Sequence, residues 1–535
     1  MANILFNTSQ NNINQFKKYY SLFIFICGSF QLVLSENSID LIVLLYVILI
    51  NVLILLYCFQ HNKFKLFPIS YLIIFFSFFF NSASALFLKT FELSKVSSNL
   101  FLPDDIYLFL FVSCIFVIII HSLYVRNSIK DKKSLIFNFN QKLKLFDIDL
   151  NTLFYLGVFS LFIHVLFTFD VVGFNSYSNN NSQSGRFTIF QDFMRGYNPF
   201  YILIFLLVLS KHIFNQNFYI NKFIYFLFFL ILIYISITSN RRDILFFGIL
   251  TLLMILLTIF LLGKIIITKK TFFKYISIFI ILFFSSETIL KFNYAYIIER
   301  GNSSTQTVYG NLSSFFTTLK KLNNNPEFYR NFKSIKQFNV DYGLNINSYY
   351  NSLIYERFNP IKYADNILFF SQRLNQNSLD EVRSFSFKRI ISIIPQPIIS
   401  IFSKDFKKIN YIYETVATKI IKIAKPNHNA VNDVGSILID LKIFFGLLFI
   451  IPLGFLSYLS FIIFDSFYDR KKQIFSPIIL IFIFYGSNSI YGLFSSTSLD
   501  AMITFILRGI PQSILLYLLF KIIFKYLFKS KTKFS

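Results

Sequence analysis

The stretch that decides the fold runs from Ile39 to Cys58 and reads IDLIVLLYVILINVLILLYC. Its apolar residues form one block that only Asp40 and Asn51 interrupt, without the one-sided apolar stripe of a helix in a soluble protein. A bilayer takes about 20 helical residues to cross, which is the length of this block. The stretch is therefore predicted to be a transmembrane helix.

Blocks of the same kind recur along the chain, in which 55% of the residues are hydrophobic and only 14% are charged. The sequence predicts an all-α polytopic membrane protein with about twelve transmembrane helices. The predicted spans are 19–36, 39–58, 68–88, 106–125, 151–169, 197–215, 220–238, 243–262, 273–290, 441–464, 475–496 and 500–524.

Basic residues concentrate in every second gap between these spans, and such gaps stay in the cytoplasm. Examples are His61–Lys65, Arg126–Lys144, Lys264–Lys274, Arg470–Lys472 and the tail 525–533. Both termini are therefore predicted to be cytoplasmic. The remaining gaps face outward, among them 170–196, 239–242, 291–440 and 497–499.

The formal charge of +25 follows from this bias, so nucleic acid is not a predicted partner. The first apolar run follows Lys17 and Lys18 without a small-x-small cleavage site, which favours an uncleaved first helix. Cys27, Cys58 and Cys114 fall in or at the ends of spans, which leaves no disulfide framework for the outer region.

Three regions follow along the chain: helices one to nine in 1–290, an outer loop in 291–440, and the last three helices with a basic tail in 441–535. The loop is predicted to be mostly helical, because apolar residues recur at helical spacing in 311–325, 347–377 and 411–424. Ile390–Phe402 is too short to span and is broken by Pro395 and Pro397. This segment is predicted to lie in the membrane interface or to pack on the bundle.

Two arginines, Arg241 and Arg242, occupy a short outward turn where the eighth span begins. They oppose the orientation bias, and a helix N-terminus disfavours cations. An arginine pair at a helix N-terminus is suited to a phosphate or pyrophosphate, which makes both residues candidates for catalysis. The alternative is that they reach lipid headgroups or pair with Asp243.

Four more charged residues are candidates for substrate binding. Arg508 lies inside the twelfth span, where an arginine costs about 2.5–3.5 kcal/mol and needs a partner such as Asp243, Glu287 or a substrate phosphate. Glu287 lies near the outer end of span nine, and a structural ion pair is the alternative for both residues. Arg186 and Arg195 lie in the outward gap 170–196, where ordinary exposed charges are the alternative.

His428 and Asp433 end the outer loop just before the tenth span. A neutral imidazole there could act as general base toward a sugar hydroxyl, with Asp433 orienting it. The alternative is a pair of solvent-facing polar residues. Asp104 and Asp105 are expected to be helix caps. The spacing of His, Cys, Asp and Glu predicts no metal site, and no cofactor is predicted.

Three short motifs resemble those of the oligosaccharide repeat-unit polymerases, the Wzy-type O-antigen and capsule polymerases. They are the turn ITSNRRD at 237–243, the run IIPQP at 393–397, and the segment from His428 through NDVGS and Asp440 to FFG at 444–446. The family usually has glycine before the turn arginine, where this chain has Asn240. Which of Arg241 and Arg242 is the equivalent is therefore open.

The resemblance implies a membrane glycosyltransferase of the bacterial inner membrane, acting in lipopolysaccharide or capsule synthesis. It would move a growing glycan from undecaprenyl pyrophosphate onto a second lipid-linked repeat unit at the outer face. The implied partners are the lipid-linked oligosaccharide, membrane lipids and a chain-length regulator. The closest alternative is an O-antigen ligase-type transferase. A second alternative is a lipid-linked oligosaccharide flippase, although the sequence shows neither the internal repeats nor the paired broken helices common in transporters.

Overall fold

The computed structural model of the protein describes most of the chain. The described ranges are 2–130, 135–168, 198–238, 242–265, 308–329, 359–392, 415–426, 435–484 and 497–528, with residues 291, 292, 294, 295, 298, 394, 399 and 401.

Five helical stretches in these ranges are long and apolar enough to cross a membrane, and they indicate a membrane protein. They are Ser38–Cys58, Pro68–Phe91, Pro103–Ile129, Ile437–Asp465 and Leu499–Leu527. Four shorter apolar helices accompany them, at Leu150–Ile163, Ile202–Ile213, Lys222–Ile233 and Thr251–Leu261. The predicted span 273–290 lies outside the described residues, and 475–496 is described only as far as residue 484.

Eight helices form the first part of the bundle. They are α1 (Ala2–Leu34), α2 (Ser38–Cys58), α3 (His61–Leu66), α4 (Pro68–Phe79), α5 (Ala83–Phe91), α6 (Pro103–Lys130), α7 (Leu135–Lys142) and α8 (Leu150–Thr168). Two of these helices begin with residues that favour a helix start. The Asn37 side chain caps α2 by accepting from the N–H of Asp40, and Pro68 is the first residue of α4. Asp104 and Asp105 lie in the first turn of α6, where carboxylates favour the helix dipole.

Eight further helices continue the chain through its middle and the predicted outer loop. They are α9 (Ile202–Leu206), α10 (Ser210–Ile213), α11 (Lys222–Thr238), α12 (Arg242–Leu261), α13 (Val308–Asn324), α14 (Ile361–Ser371), α15 (Gln376–Ile391) and α16 (Val416–Ala424). Short 3-10 turns at Asn198–Tyr201 and Leu207–Leu209 flank α9. The sequence pattern did not predict α15, which proves central to the site below.

The last part of the chain consists of five helices and a small hairpin. The helices are α17 (Ile437–Phe445), α18 (Ile450–Asp465), α19 (Pro477–Phe484), α20 (Leu499–Thr504) and α21 (Ile510–Phe528). The strands β1 (Tyr468–Asp469) and β2 (Ile474–Phe475) pair antiparallel, with Tyr468 opposite Phe475.

Three apolar stretches are interrupted. Gly446, with φ of +57°, ends α17 and begins a 3-10 turn, Gly446–Phe449, that leads into α18. Glycine suits this position because L side chains rarely adopt such a φ. A turn separates α4 from α5, and a π-helical turn, Phe505–Gly509, joins α20 to α21. The sequence pattern did not predict these interruptions.

Several segments that the sequence assigns to the basic side meet at one end of the bundle, here called the basic end. Lys264 Nζ donates to the carbonyl of Gln473 at 2.5 Å, and Lys521 Nζ donates to that of Asp147 at 2.5 Å. Ser9 Oγ, near the N-terminus, donates to the carbonyl of Leu261.

Segments assigned to the other side meet one another as well, at what is here called the loop end. Lys95 Nζ lies 2.6 Å from Glu36 and 3.2 Å from Asp40, so it joins the α1–α2 turn to the segment before α6. Ile437 N–H donates to the carbonyl of Thr497 at 2.6 Å, which joins the starts of α17 and α20.

Candidate functional site

Most of the residues singled out from the sequence have no described environment. Six lie outside the described residues: Arg186, Arg195, Arg241, Glu287, His428 and Asp433. Arg242 is the first residue of α12, as expected for a group at a helix N-terminus, but its side chain is not described. Their predicted roles therefore stay predictions.

Arg508 is described, and it lies in the π-helical turn of the last span with an exposed side chain. Phe505, on the other side of this turn, is buried against Phe464 and Phe482. Among the described residues Arg508 has no hydrogen bond or ion pair, and its suggested partners Asp243 and Glu287 have no described side chains. Single π-helical turns inside helices are frequent at functional sites.

The described residues that best resemble a reactive site lie at the loop end, where α15 meets α17 and α20. They are Asp440, Asp500 and Arg389, here called the two-aspartate cluster. Asp440 is completely buried, Asp500 is 3% exposed, and the side chain of Arg389 is 18% exposed. Carboxylates this deeply buried are rare unless they are paired, so each needs a physical explanation.

Local geometry brings the two aspartates together. The Ser498 side chain caps α20 by accepting from the N–H of Ala501, which places Asp500 in the first turn. Asp440 Oδ2 accepts the N–H of Leu499 at 2.9 Å. Gly435 allows this approach, because a Cβ there would lie 2.4 Å from the Cβ of Ser498. The starts of the two helices are thus packed backbone to backbone.

Arg389 reaches the cluster from α15 and provides its positive charge. Its Nε donates to Asp500 Oδ2 at 2.7 Å, the geometry of a charge-assisted hydrogen bond. It lies in the last turn of α15, where the helix dipole favours a cation. Ser386 and Val382, one and two turns earlier, are the buried residues of α15, so Arg389 continues its inward face.

Three buried oxygens in this region have no hydrogen-bond partner among the described residues: Asp440 Oδ1, Asp500 Oδ1 and Ser386 Oγ. Leaving a buried polar atom unpaired costs about 1–3 kcal/mol, and more when the group is charged. Folded proteins keep few such atoms, and catalytic groups are one recognised reason. The bare oxygens of the two aspartates therefore favour a site that receives a hydrogen-bond donor.

A separate pair, Lys362 and Asp365, fastens α14 to the segment before α6. Asp365 accepts the N–H groups of Phe101 and Leu102 at 2.8 and 2.9 Å, while Lys362 Nζ donates to the carbonyl of Asn99 at 2.6 Å. Burial raises the pKa of the Asp365 carboxyl, although Lys362 and the two N–H donors act in the opposite direction. Both carboxylate oxygens of Asp365 accept hydrogen bonds in these contacts, which is typical of a structural role.

A second buried network lies nearer the basic end and is also structural in character. His121 is fully buried, hydrogen-bonded through Nδ1 to Tyr57 Oη and through Nε2 to Ser70 Oγ, both at 2.8 Å. Asp465 accepts the N–H of Ser70 and the hydroxyl of Tyr124, each at 3.0 Å. Both oxygens of this carboxylate have partners, unlike those of Asp440 and Asp500.

The two-aspartate cluster combines a buried carboxylate oxygen that can accept a proton with an arginine that can neutralise an anion. A carboxylate can act as general base for a hydroxyl, and guanidinium groups stabilise phosphate oxygens. The described residues contain no group of three or more His, Cys, Asp or Glu that could hold a metal ion.

Sequence reasoning did not select Arg389 or Asp500, and it noted Asp440 only as part of a motif. One signal was available for Asp440, which stands in the apolar run ILIDLKIFF at 437–445. An acid in such a run is expensive and marks a functional position by default. Asp500 begins a span and is easily interpreted as a helix-capping residue, and Arg389 belongs to a helix that the pattern missed.

No known protein family, curated protein or solved structure matches this chain.

Proposed function

We propose that the protein is a membrane glycosyltransferase that joins lipid-linked oligosaccharide repeat units at the outer face of a bacterial inner membrane, with the loop end outward and both termini cytoplasmic. The observation that carries the proposal is the two-aspartate cluster, in which bare carboxylate oxygens lie beside an arginine. The motif resemblance supplies the substrate class, a glycan on undecaprenyl pyrophosphate. No metal is needed for this chemistry if arginines stabilise the leaving group.

In the proposed reaction, Asp440 Oδ1 accepts the proton of an acceptor sugar hydroxyl. The hydroxyl oxygen forms a bond to the anomeric carbon of the donor glycan while the bond from that carbon to the pyrophosphate oxygen breaks. The pyrophosphate leaves with the bonding electron pair. A positioned general base contributes about 10²–10⁴-fold to such a reaction. Asp500 holds Arg389 beside Asp440, since its Oδ2 accepts the Arg389 Nε–H.

The leaving pyrophosphate needs cations, and the proposal assigns this role to Arg241 and Arg242, with Arg508, Arg186 and Arg195 as further contacts. Arg508 supports this assignment, because it is exposed inside a span and has no partner in the described part of the chain. His428, with Asp433, is the competing candidate for the general base, and Glu287 the remaining candidate for substrate binding.

The test replaces Asp440 in a strain that depends on this gene for its surface glycan. Asp440→Asn keeps the side-chain volume and removes the base, so long glycan should disappear while the protein level stays unchanged. Asp440→Glu keeps the carboxylate and should restore part of the product. The matched control is Asp380→Asn, an exposed carboxylate on α15, which should leave glycan length unchanged. Long glycan in the Asp440→Asn strain would contradict the proposed base, and an equal loss in Asp380→Asn would show a nonspecific effect.

A flippase is the second candidate, because the breaks at Gly446 and between α4 and α5 give spans that are interrupted as in transporters. The two functions predict different products in a deletion strain. A polymerase defect leaves single repeat units on the cell surface, whereas a flippase defect traps lipid-linked units inside. Gel analysis of surface glycan together with extraction of the lipid carrier separates the two outcomes.

A further inference from the structure

Helix α15 has two faces with different surroundings. Val382 and Ser386 are buried, and Arg389 continues that face toward Asp500. On the outer side of the helix, Phe387 is 64% exposed, and Ile394, three residues beyond the end of the helix, is 40% exposed. The outer side of the last turns of α15 therefore presents a large apolar side chain, and the segment beyond the helix presents a second.

This exposed face continues onto the apolar surface of a span. Arg383, one turn before Phe387, donates through a guanidinium N–H to the carbonyl of Ile443 at 3.2 Å. Ile443 lies three residues before the break at Gly446, where Phe445 is 48% exposed and Leu447 is 91% exposed. Residues this apolar and this exposed on a membrane-crossing stretch face lipid.

A basic residue stands beside the exposed aromatic one. Lys388 is exposed next to Phe387, whereas Arg389 contacts Asp500 on the inner face. An exposed aromatic side chain flanked by a lysine is typical of helices that lie at the boundary between headgroups and acyl chains. The lysine then reaches lipid phosphates while the apolar side chains enter the acyl region.

We propose that the second half of α15 and Ile394 beyond its end lie on the bilayer surface at the loop end, with Phe387 and Ile394 inserted among the lipids. The occupant of this face is the lipid surface, and the proposal does not depend on the proposed catalytic activity. Lipid contact fixes the depth of α15 and therefore the height at which Arg389 meets Asp500 above the membrane.

The chain contains no tryptophan, so one introduced residue reports its surroundings without background. Phe387→Trp is purified and reconstituted in vesicles made with phospholipid brominated either near the headgroup or near the end of the acyl chain. The proposal predicts that headgroup-proximal bromine removes most of the emission, that deep bromine removes less, and that aqueous iodide has little effect. Leu447→Trp, on the span, is the positive control and should be quenched by bromolipid.

The matched negative control is Asn325→Trp, an exposed position at the polar end of another loop helix. It should be quenched by iodide and not by bromolipid. If Phe387→Trp perturbs folding, Ser384→Trp, exposed on the same face one turn earlier, takes its place. Iodide quenching of Phe387→Trp without bromolipid quenching would overturn the proposal and favour a soluble or protein-covered face. Equal bromolipid quenching at Asn325 would overturn it too, because the contact would not be specific to α15.

Discussion

Replacing Arg389 with methionine should destabilise the protein by about 3 kcal/mol, because it leaves a buried carboxylate without its cation. The Asp500 side chain is 5% exposed, and its Oδ1 already has no partner among the described residues. Without Arg389, neither carboxylate oxygen of Asp500 has a hydrogen-bond partner among the described residues. Removing one member of a buried pair costs about 3–5 kcal/mol, and the lower end applies because Arg389 is 18% exposed.

The complementary change, Asp500→Leu, should cost a similar amount, since it removes the carboxylate that accepts from the largely buried Arg389 guanidinium. The double variant with Arg389→Met and Asp500→Leu should lie within about 1 kcal/mol of the wild type, because apolar groups replace a buried pair at little net cost. Unfolding by SDS in mixed micelles, followed by far-UV circular dichroism, measures all three changes, and the double-mutant cycle isolates the coupling.

The matched control is the pair formed by Arg383 and Asp380 on the same helix, at 2.8 Å. Its side chains are 36% and 59% exposed, so Asp380→Asn should cost only about 0–1 kcal/mol. Additive losses in the double variant, with a coupling below about 0.5 kcal/mol, would refute the view that the buried pair holds α15 on α20.

Three further predictions follow from the topology, the arginine turn and a buried lysine. Reporter fusions after Asn325 should report the outer side and fusions after Lys471 the cytoplasm; a cytoplasmic signal at Asn325 would contradict the proposed function. Arg241→Ala or Arg242→Ala should abolish long glycan at unchanged protein level, and lysine should restore it poorly because it lacks the bidentate fork; normal glycan length in both alanine variants would exclude the predicted role. Burial lowers the pKa of Lys264 from 10.5 to about 8, so the folded protein releases this proton at a lower pH than the unfolded chain does. The protein should therefore become more stable as the pH rises from about 8 to 10.5. SDS unfolding midpoints across that pH range should show this gain in the wild type, whereas its equal presence in Lys264→Gln would rule out Lys264 as the cause.

Local sequence was sufficient to predict the helices whose determining residues all lie within one short stretch of the chain. The block predicted at 39–58 forms the helix Ser38–Cys58. The two aspartates after Pro103, expected to be helix caps, lie inside the first turn of α6. In the predicted loop, the apolar spacing at 411–424 corresponds to the described helix Val416–Ala424. Helix α15 was missed because its buried residues include only Val382 and Ser386, too few to produce a helical pattern.

The site could not be predicted because its contacts join distant parts of the chain. Asp440 meets the N–H of Leu499 across 59 residues, and Arg389 meets Asp500 across 111. No local pattern encodes such contacts. The arginine turn was predicted from local sequence alone, as the N-terminus of a helix. A helix does begin at Arg242.

The break at Gly446 has a consequence for how the chain is inserted during synthesis. The four residues of the 3-10 turn and the sixteen of α18 are by themselves long enough to cross the hydrocarbon layer of about 30 Å. The preceding nine residues of α17, with Asp440 and Lys442, then never need to enter it. Each of these charges would add about 2.5–3.5 kcal/mol at the centre of an inserting segment. A translocon would therefore recognise Gly446–Asp465 as the inserting segment and leave α17 free to assemble later, once α20 has arrived.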